Sequence, residues 1–581
     1  MQRTQLTREQ RAQALREMGS EKVDILVVGG GVTGAGIALD AATRGLRVAI
    51  VEAQDWAGGT SAWSSKLVHG GLRYLYQFNF ALVAEALKER GLLLTRTAPH
   101  LVKAQPFLWP LKTPVVERSY SALGVGMYDM LAQYGGGGRS AVPAQKHYSK
   151  EGARKLFPGI REDALIGAIR FYDARVDDAR LVIDLVRTAQ GYGALAASRA
   201  QVTGYLKDNV GGNQRVTGAT VKDLESGLEF DVRADYVINA TGVWTEQTQD
   251  LATQDGGLQV LASKGIHIVV PKDRIDGSAG IFLRTEKSVL FIIPWDRYWV
   301  IGTTDTEWTE DLTHPVCTAA DIDYVLEHAN SVLATPLTRE DIIGTYAGLR
   351  PLLQPKVKGN GGSAKVSREH TVAEVMPGLS AIAGGKLTTY RVMAQDAIDF
   401  ALTRLHGNQG PKERPCVTEQ IPLVGASGYP AWQAQRDRIA TDEGFTPERV
   451  QHLLDRYGDE LPDILDIIAQ NPDLGRPLEQ ADAYLGAEVS FAVTHEGALH
   501  LEDIVRKRIR LDYEQRDRGL AALPEIAEIA APLLGWDEET VAREIDAYRE
   551  RVEAEAKAEK EQTDAEAIAV RLSAPDITPM V

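Results

Sequence analysis

The first clear pattern along the chain is an aliphatic run, Asp24-Ile-Leu-Val-Val-Gly29, that stops on glycine. Apolar residues without alternation, β-branched at the end, predict a strand buried on both faces, as in a parallel sheet. Gly29-Gly-Gly31-Val-Thr-Gly34-Ala-Gly36 follows, then helical character over Ile37–Thr43 and a second strand, Leu46–Glu52, closing on an acid. Strand, glycine turn, helix and strand within about 30 residues form a βαβ unit, so the fold class is α/β. From Phe80 to Arg96 apolar residues recur at helical spacing (Leu82, Ala86, Leu93), which predicts an amphipathic helix. Gly218–Ala240 reads as strands and turns, and strands are expected over Gly265–Val270, Val289–Ile293 and Trp299–Thr304. Gly384–Tyr390 opens a further helix that runs to about Leu405.

Beyond His406 the pattern changes to glycine- and proline-rich sequence and then to helical periodicity through Leu533. The chain therefore divides into an extension (1–21), a large α/β body (22–405), a helical domain (406–540) and a charged helical tail (541–581), whose Ala-rich stretch Arg549–Ala567 is expected to be an exposed helix or a frayed end. Gly135–Gly138 reads as a surface loop. The apolar runs are of strand length, and Met1–Asp24 is polar, so neither a bilayer span nor a signal peptide is expected.

Charge and cysteine usage narrow the classes. With 64 Lys+Arg against 80 Asp+Glu, the net charge is −16, which argues against general nucleic-acid binding. The two cysteines, Cys317 and Cys416, can build neither a C-x-x-C motif nor a disulfide framework, so no metal site is expected and a reducing compartment is implied.

The glycines carry the first chemistry. In Gly29-x-Gly31-x-x-Gly34 the first permits a tight turn, the second lets a pyrophosphate approach the backbone, and the third allows close helix packing. N–H groups at the helix start bind the phosphates, and Glu52, 23 residues after Gly29, is placed to hold an adenosine ribose. This motif alone fits FAD or NAD. Two later small-residue segments, Asn239-Ala-Thr-Gly242-Val-Trp244 and Gly384-Gly385-Lys386, favour an extended FAD touched at three dispersed places.

Cations recur in glycine-flanked motifs: Arg73, Arg350, Arg368, and Lys386 beside Thr388 and Thr389. Arginine forks and a lysine point charge suit a small phosphate or carboxylate substrate. His267 alternates with apolar residues on a strand; beside a flavin it becomes a candidate base. Arg506-Lys507-Arg508-Ile509-Arg510 reads first as a helix face paired with Asp503, Asp512 and Glu514, with attraction to anionic lipid as the alternative.

These stretches together resemble the FAD-dependent, respiratory glycerol-3-phosphate dehydrogenase family. The resemblance rests on VVGGGVTGAGIALDAATRGLRVAIVE (27–52), TSAWSSKLVHGGLRYL (60–75), VDDARL (176–181), NATGVW (239–244), KGIHIVVP (264–271), IPWDRYWVIGTTD (293–305), GLRPL (348–352), GGKLTTYR (384–391) and HEGALHLEDIVRKRIRL (495–511). It implies a glutathione-reductase-like FAD-binding domain (segments about 22–100, 165–245 and 340–405) interleaved with an antiparallel-sheet substrate domain, plus the helical C-terminal domain. The implied activity is that of glycerol-3-phosphate dehydrogenase (quinone): sn-glycerol 3-phosphate is oxidised to dihydroxyacetone phosphate by hydride transfer to flavin N5, and electrons pass to membrane quinone. A cytoplasmic enzyme peripherally bound to the inner membrane face, and a homodimer, are implied as well.

By the same resemblance Gly29, Gly31, Gly34, Glu52, Thr60, Ser61, Ser65, Lys66, Leu67, Gly242 and Gly385 line FAD. Arg73, Tyr74, Arg368, Lys386, Thr388, Thr389 and Tyr390 hold the substrate. His267 is the first choice of base, with Arg350 stabilising the developing oxygen charge and His69 a weaker alternative. Ile266 departs from the family, which commonly carries serine there. Competing readings are a glycerol-3-phosphate oxidase that returns electrons to oxygen, a related flavin amine or hydroxy-acid oxidase, and a flavin-binding regulatory module.

Overall fold

The computed structural model describes residues 5–71, 79–113, 124–128, 130–131, 141–210, 212–254, 257–285, 289–354 and 370–581. Arg73, Tyr74, Arg368 and the Gly135–Gly138 loop lie outside the described residues.

The aliphatic run forms the strand Val23–Val28, central in an 8-stranded sheet. Its parallel neighbours are Val48–Val51 on one side and Glu229–Asn239 on the other, extended by Leu195–Ala197 and Leu379–Ala383. Polar residues do not alternate with apolar ones here because both faces are covered; Ile25, Leu26 and Val27 are all fully buried. The helix Val32–Thr43 covers one face and is clasped by the helices Asp178–Gly191 and Tyr390–His406. The antiparallel ribbon Ala200–Val210, Asn213–Asp223 continues into the first half of Glu229–Asn239.

A 10-stranded sheet forms the second body. Its long strands Gly344–Gln354, Gln259–Pro271, Tyr298–Gly302, Val289–Trp295, Gly280–Arg284, Val102–Leu111 and Gly167–Val176 are antiparallel except where Gly280–Arg284 meets Val102–Leu111. Two of these strands correct the expected division. Gly167–Val176 and Gly344–Gln354 were expected in the FAD segments, but each pairs within this second sheet, through Val102–Leu111 and Gln259–Pro271 respectively. The chain thus crosses between the sheets repeatedly, and the crossings meet at the cavity described below.

The helical domain follows Gly407 and contains one short hairpin, Pro477–Leu478 with Ala481–Leu485. Its basic run forms a π-helical turn, Ile504–Arg508, directed inward. Arg508 spans both carboxylate oxygens of Asp55, at 2.5 and 2.9 Å, and Lys507 reaches the same group at 3.2 Å. Arg506 pairs with Asp512 and Arg510 with Glu514, as expected for a paired face, and no lipid-facing patch is left there. The missing partner in the sequence reading was Asp55, far away in the nucleotide-binding half.

The tail is not a free, solvated stretch: each of its helices packs one face inward and leaves the other exposed. Helix Glu538–Ala558 buries Glu544, Tyr548 and Val552, and helix Asp564–Arg571 sets Ala567 and Ile568 against Val243, Trp308 and Leu349. The N-terminal extension also folds back. Helix Arg8–Ser20 begins with a Thr7–Gln10 capping box and buries Ala14 and Met18 against the first sheet.

Candidate functional site

A cavity of about 450 Å³ lies between the two sheets, within the ~300–1,000 Å³ range of small-molecule sites. It is lined by residues from widely separated segments: Gly29, Gly31 and Glu52 from the first βαβ unit, Thr60, Ser61, Ser65 and Leu67 beyond it, Gly242, His267, Arg350, and Gly385–Thr388.

The phosphate end follows from backbone geometry. Gly29 has φ +109°, and a Cβ there would stand 2.7 Å from the Ala240 carbonyl oxygen. A Cβ on Gly34 would fall 1.8 Å from the Gly29 oxygen, so this glycine lets helix and strand touch and does not itself line the cavity. The helix Val32–Thr43 opens on Gly31, which has no side chain to cap it; the Ser61 hydroxyl accepts from Val32 N–H at 2.9 Å. Its first residues face the cavity, and the positive end of the helix dipole is turned toward any anion held there. Glu52 accepts N–H bonds from Gly30 (2.5 Å) and Gln54 (2.7 Å). Burial raises its carboxyl above the usual range against the pull of those two N–H groups. Closely approachable backbone, a helix N-terminus facing the cavity and a terminal acid together fit a dinucleotide.

The other end holds the reactive groups. Ser65 Oγ lies 2.8 Å from His267 Nε2, and the imidazole stacks on Tyr346 with centroids 4.7 Å apart. Burial, then the positive charges of Arg350 and Lys66, push His267 well below the usual histidine value, so the ring is neutral. Arg350 projects from Gly344–Gln354 and donates to Thr303 Oγ1 and the Thr304 carbonyl, both at 2.9 Å, with Asp305 at 3.3 Å. Lys386 and His69 line the same end.

Several expected residues stand elsewhere. The Lys66 side chain does not reach the cavity: it is buried in an ion pair with Asp178 (2.7 Å) and is stretched back to the Ala62 carbonyl. Thr388 lines the cavity, but its hydroxyl is occupied by the His69 backbone at 3.1 and 3.2 Å. Thr389 sits behind it, with its hydroxyl on the Lys386 carbonyl. Tyr390 is packed into the core, its ring against Gly36, where even a Cβ would come within 2.9 Å. Neither of these two lines the cavity; Tyr390 opens the helix Tyr390–His406 that docks on Val32–Thr43, and that packing fixes its ring inward. Thr60 donates to the Leu349 carbonyl at 2.5 Å and ties the first body to the second.

The structure also adds residues that sequence reasoning missed. Asp178 accepts from Lys66, from Ser64 Oγ (2.7 Å) and from Ser64 N–H (3.1 Å), and so fixes the segment that carries Ser65. Its stretch, 176–181, was visible as a match but carried no assigned role. Tyr346, whose hydroxyl donates to the Ser64 carbonyl at 3.1 Å, supports His267 from below. Gln201, Met580 and Val581 line the far end beside Glu52. Both cysteines are free, and no cluster able to hold a metal occurs among the described residues.

Comparison with known proteins agrees with this geometry. The family described as "FAD dependent oxidoreductase" matches residues 24–391, and the "C-terminal domain of alpha-glycerophosphate oxidase" matches residues 416–541. The chain is 51% identical to a glycerol-3-phosphate dehydrogenase of Mycobacterium leprae over 98% of its own length and 94% of that protein. It is 35% identical to the human mitochondrial glycerol-3-phosphate dehydrogenase, covering 93% of this chain and 74% of the other. The structure of a Bacillus halodurans glycerol-3-phosphate dehydrogenase complexed with FAD superposes with a TM-score of 0.76 at 26% identity, covering 94% of this chain and 98% of that one. The cavity, the two sheets and the helical domain are thus those of a flavoprotein, and the chain belongs to the FAD-dependent glycerol-3-phosphate dehydrogenase family.

Proposed function

We propose that the enzyme oxidises sn-glycerol 3-phosphate to dihydroxyacetone phosphate and hands the electrons to a membrane quinone. The observation that carries this reading is the meeting of a neutral His267–Ser65 pair with the cations Arg350 and Lys386 at one end of the FAD cavity. FAD, when bound, supplies the acceptor for the hydrogen that leaves C2 with its electron pair.

The protein residues then have three tasks. A neutral imidazole can take the C2 hydroxyl proton, directly or through the Ser65 hydroxyl, which would pass its own proton to Nε2. Arg350, held in place by Thr303 and Thr304, stabilises negative charge on the C2 oxygen as it becomes a carbonyl. Lys386 offers a point charge to the phosphate, so that binding at the non-reacting end orients C2. Arg73 and Arg368 are further candidates for that phosphate. Gly29, Gly31, Glu52, Ser61, Leu67, Gly242 and Gly385 are the candidate FAD contacts.

For the acceptor, full-length relatives carry the dehydrogenase name, and the free cysteines, Cys317 buried and Cys416 half-buried, offer no dithiol relay. The oxidase reading draws on the description of the family matching residues 416–541. No helix among the described residues is long and apolar enough to cross a membrane, so access to quinone requires surface docking. Anaerobic glycerol 3-phosphate should bleach the flavin, and a quinone analogue should restore colour faster than oxygen. Peroxide release equal to turnover, without transfer to the quinone, would select the oxidase.

A further inference from the structure

The sequence divides the flavin cavity among segments before residue 390, yet one of its walls comes from some 190 positions further on. After the helix Asp564–Arg571 the chain runs back over the nucleotide-binding half and ends against the cavity at Met580 and Val581. Their neighbours there are Glu52, Ala53 and Gln54, which follow the strand Val48–Val51, and Ala200–Val202 on the adjoining strand. In a dinucleotide fold the acid after the second strand marks the adenosine ribose, so this is the adenosine end.

The segment is fastened along its length. Arg571 donates to the Ala574 carbonyl at 2.8 Å and pairs with Asp576 at 3.2 Å. Asp576 also faces His314 Nε2 at 2.8 Å, and Thr578 Oγ1 lies 3.1 Å from His500 Nε2. At the cavity the Gln201 side chain pairs with the Val581 backbone in both directions, each bond 2.8 Å. The Gln54 amide lies 4.0 Å from Met580 Sδ. Anchors therefore sit on the first body, the second body and the helical domain, while Met580 lines the cavity with its flexible thioether side chain. Thioethers make favourable contacts with aromatic rings, and adenine is such a ring system.

We propose that residues 576–581 form the outer wall of the adenosine end of the FAD cavity and act as a strap that must detach before FAD can leave. A flavin held in this way is retained by a conformational step as well as by its direct contacts.

The test is the rate of FAD release from the full-length holoenzyme, followed as flavin fluorescence rises on dilution. Wild type is compared with Gln201→Ala, Met580→Ala and a deletion of residues 576–581. Gln201→Ala leaves the segment present and removes its fastening to the Val581 backbone, so together with Met580→Ala, which keeps that fastening, it carries the test if the deletion fails to fold. Release should quicken at least about tenfold in Gln201→Ala, a change of about 1.4 kcal/mol, and more in the deletion. Met580→Leu, which keeps the apolar bulk, should restore most of what Met580→Ala loses. Release within twofold of wild type in both Gln201→Ala and Met580→Ala would overturn the proposal.

Discussion

Ser65 Oγ and His267 Nε2 stand 2.8 Å apart, on segments 202 positions apart that meet at the cavity. Each is held from behind by a different device. Asp178 grips the Ser64–Lys66 turn, and the Tyr346 ring lies flat beneath the imidazole. The pair is therefore set in place before substrate arrives, which is what proton transfer at a fixed atom requires.

Replacing His267 by Asn should lower kcat by roughly 10²–10⁴-fold, the usual worth of a general base, with FAD still bound. Ser65→Ala should cost less. Because burial and the charges of Arg350 and Lys66 hold the imidazole well below its ordinary value, wild-type kcat/KM should show no inflection near pH 6.5. Its acidic limb should appear only at lower pH. A full-sized inflection near 6.5 would remove His267 from the proton path.

Lys386→Ala should raise KM for glycerol 3-phosphate by about 10–150-fold, corresponding to the ~1.5–3 kcal/mol of a charged hydrogen bond. The low rate with unphosphorylated glycerol should hardly change, since that substrate has nothing to present to the lysine. Arg350→Lys should reduce kcat more than KM, because lysine keeps the charge but not the fork that Thr303 and Thr304 orient. Steady-state kinetics on both substrates separates the two effects.

Asp178→Ala strands a buried ammonium on Lys66, a group only 1% exposed. Breaking one side of such a pair costs about 3–5 kcal/mol, measurable as a fall in the urea midpoint of the body. The double change Lys66→Met, Asp178→Leu should recover much of that stability. Activity should not return with it, because Ser64 loses the acceptor that positions its neighbour.

His500 provides a pH reading of how the helical domain is joined to the rest. Burial would lower its pKa, but hydrogen bonds to Glu225 and Glu544 outweigh that and push it up to about 10, with Arg199 opposing and Asp503 assisting. A folded value above the unfolded one means the stabilisation is complete below about pH 6.5 and is lost as pH rises through 10. Hydrogen exchange around Leu501–Asp503 and in helix Glu538–Ala558 should quicken between about pH 8 and 10, after correction for the intrinsic rate. His500→Gln should flatten that pH dependence.

Much of the site could be read locally. Gly29, Gly31, Glu52, Gly242 and Gly385 sit where a turn, a close approach or a strand end demands a particular residue, and such demands show within a few positions. His267, Arg350 and Lys386 also line the cavity, because each lies beside a glycine or a strand end that opens toward it. Thr389 and Tyr390 share that motif, but Thr389 turns its hydroxyl back to the Lys386 carbonyl and Tyr390 packs on Gly36 of the helix Val32–Thr43, a partner hundreds of residues away. The same blindness explains the tail. A charged, Ala-rich stretch looks solvated until Arg551 and Arg518 meet Glu555, and until Gln201 meets Val581 across 380 positions. No local periodicity carries that information.

The repeated crossing between the two sheets has a consequence for biosynthesis. The glycine turn at Gly29 emerges early, but Arg350 and Lys386 join the cavity only hundreds of residues later. At roughly 5–20 residues per second, the last of these walls follows the first by about 20–70 s. During that interval the nascent chain holds strands whose partners have not been made, so neither sheet can close around its own core. A complete flavin cavity is thus a late product of synthesis, and a chain terminated before Lys386 lacks walls that the finished cavity has.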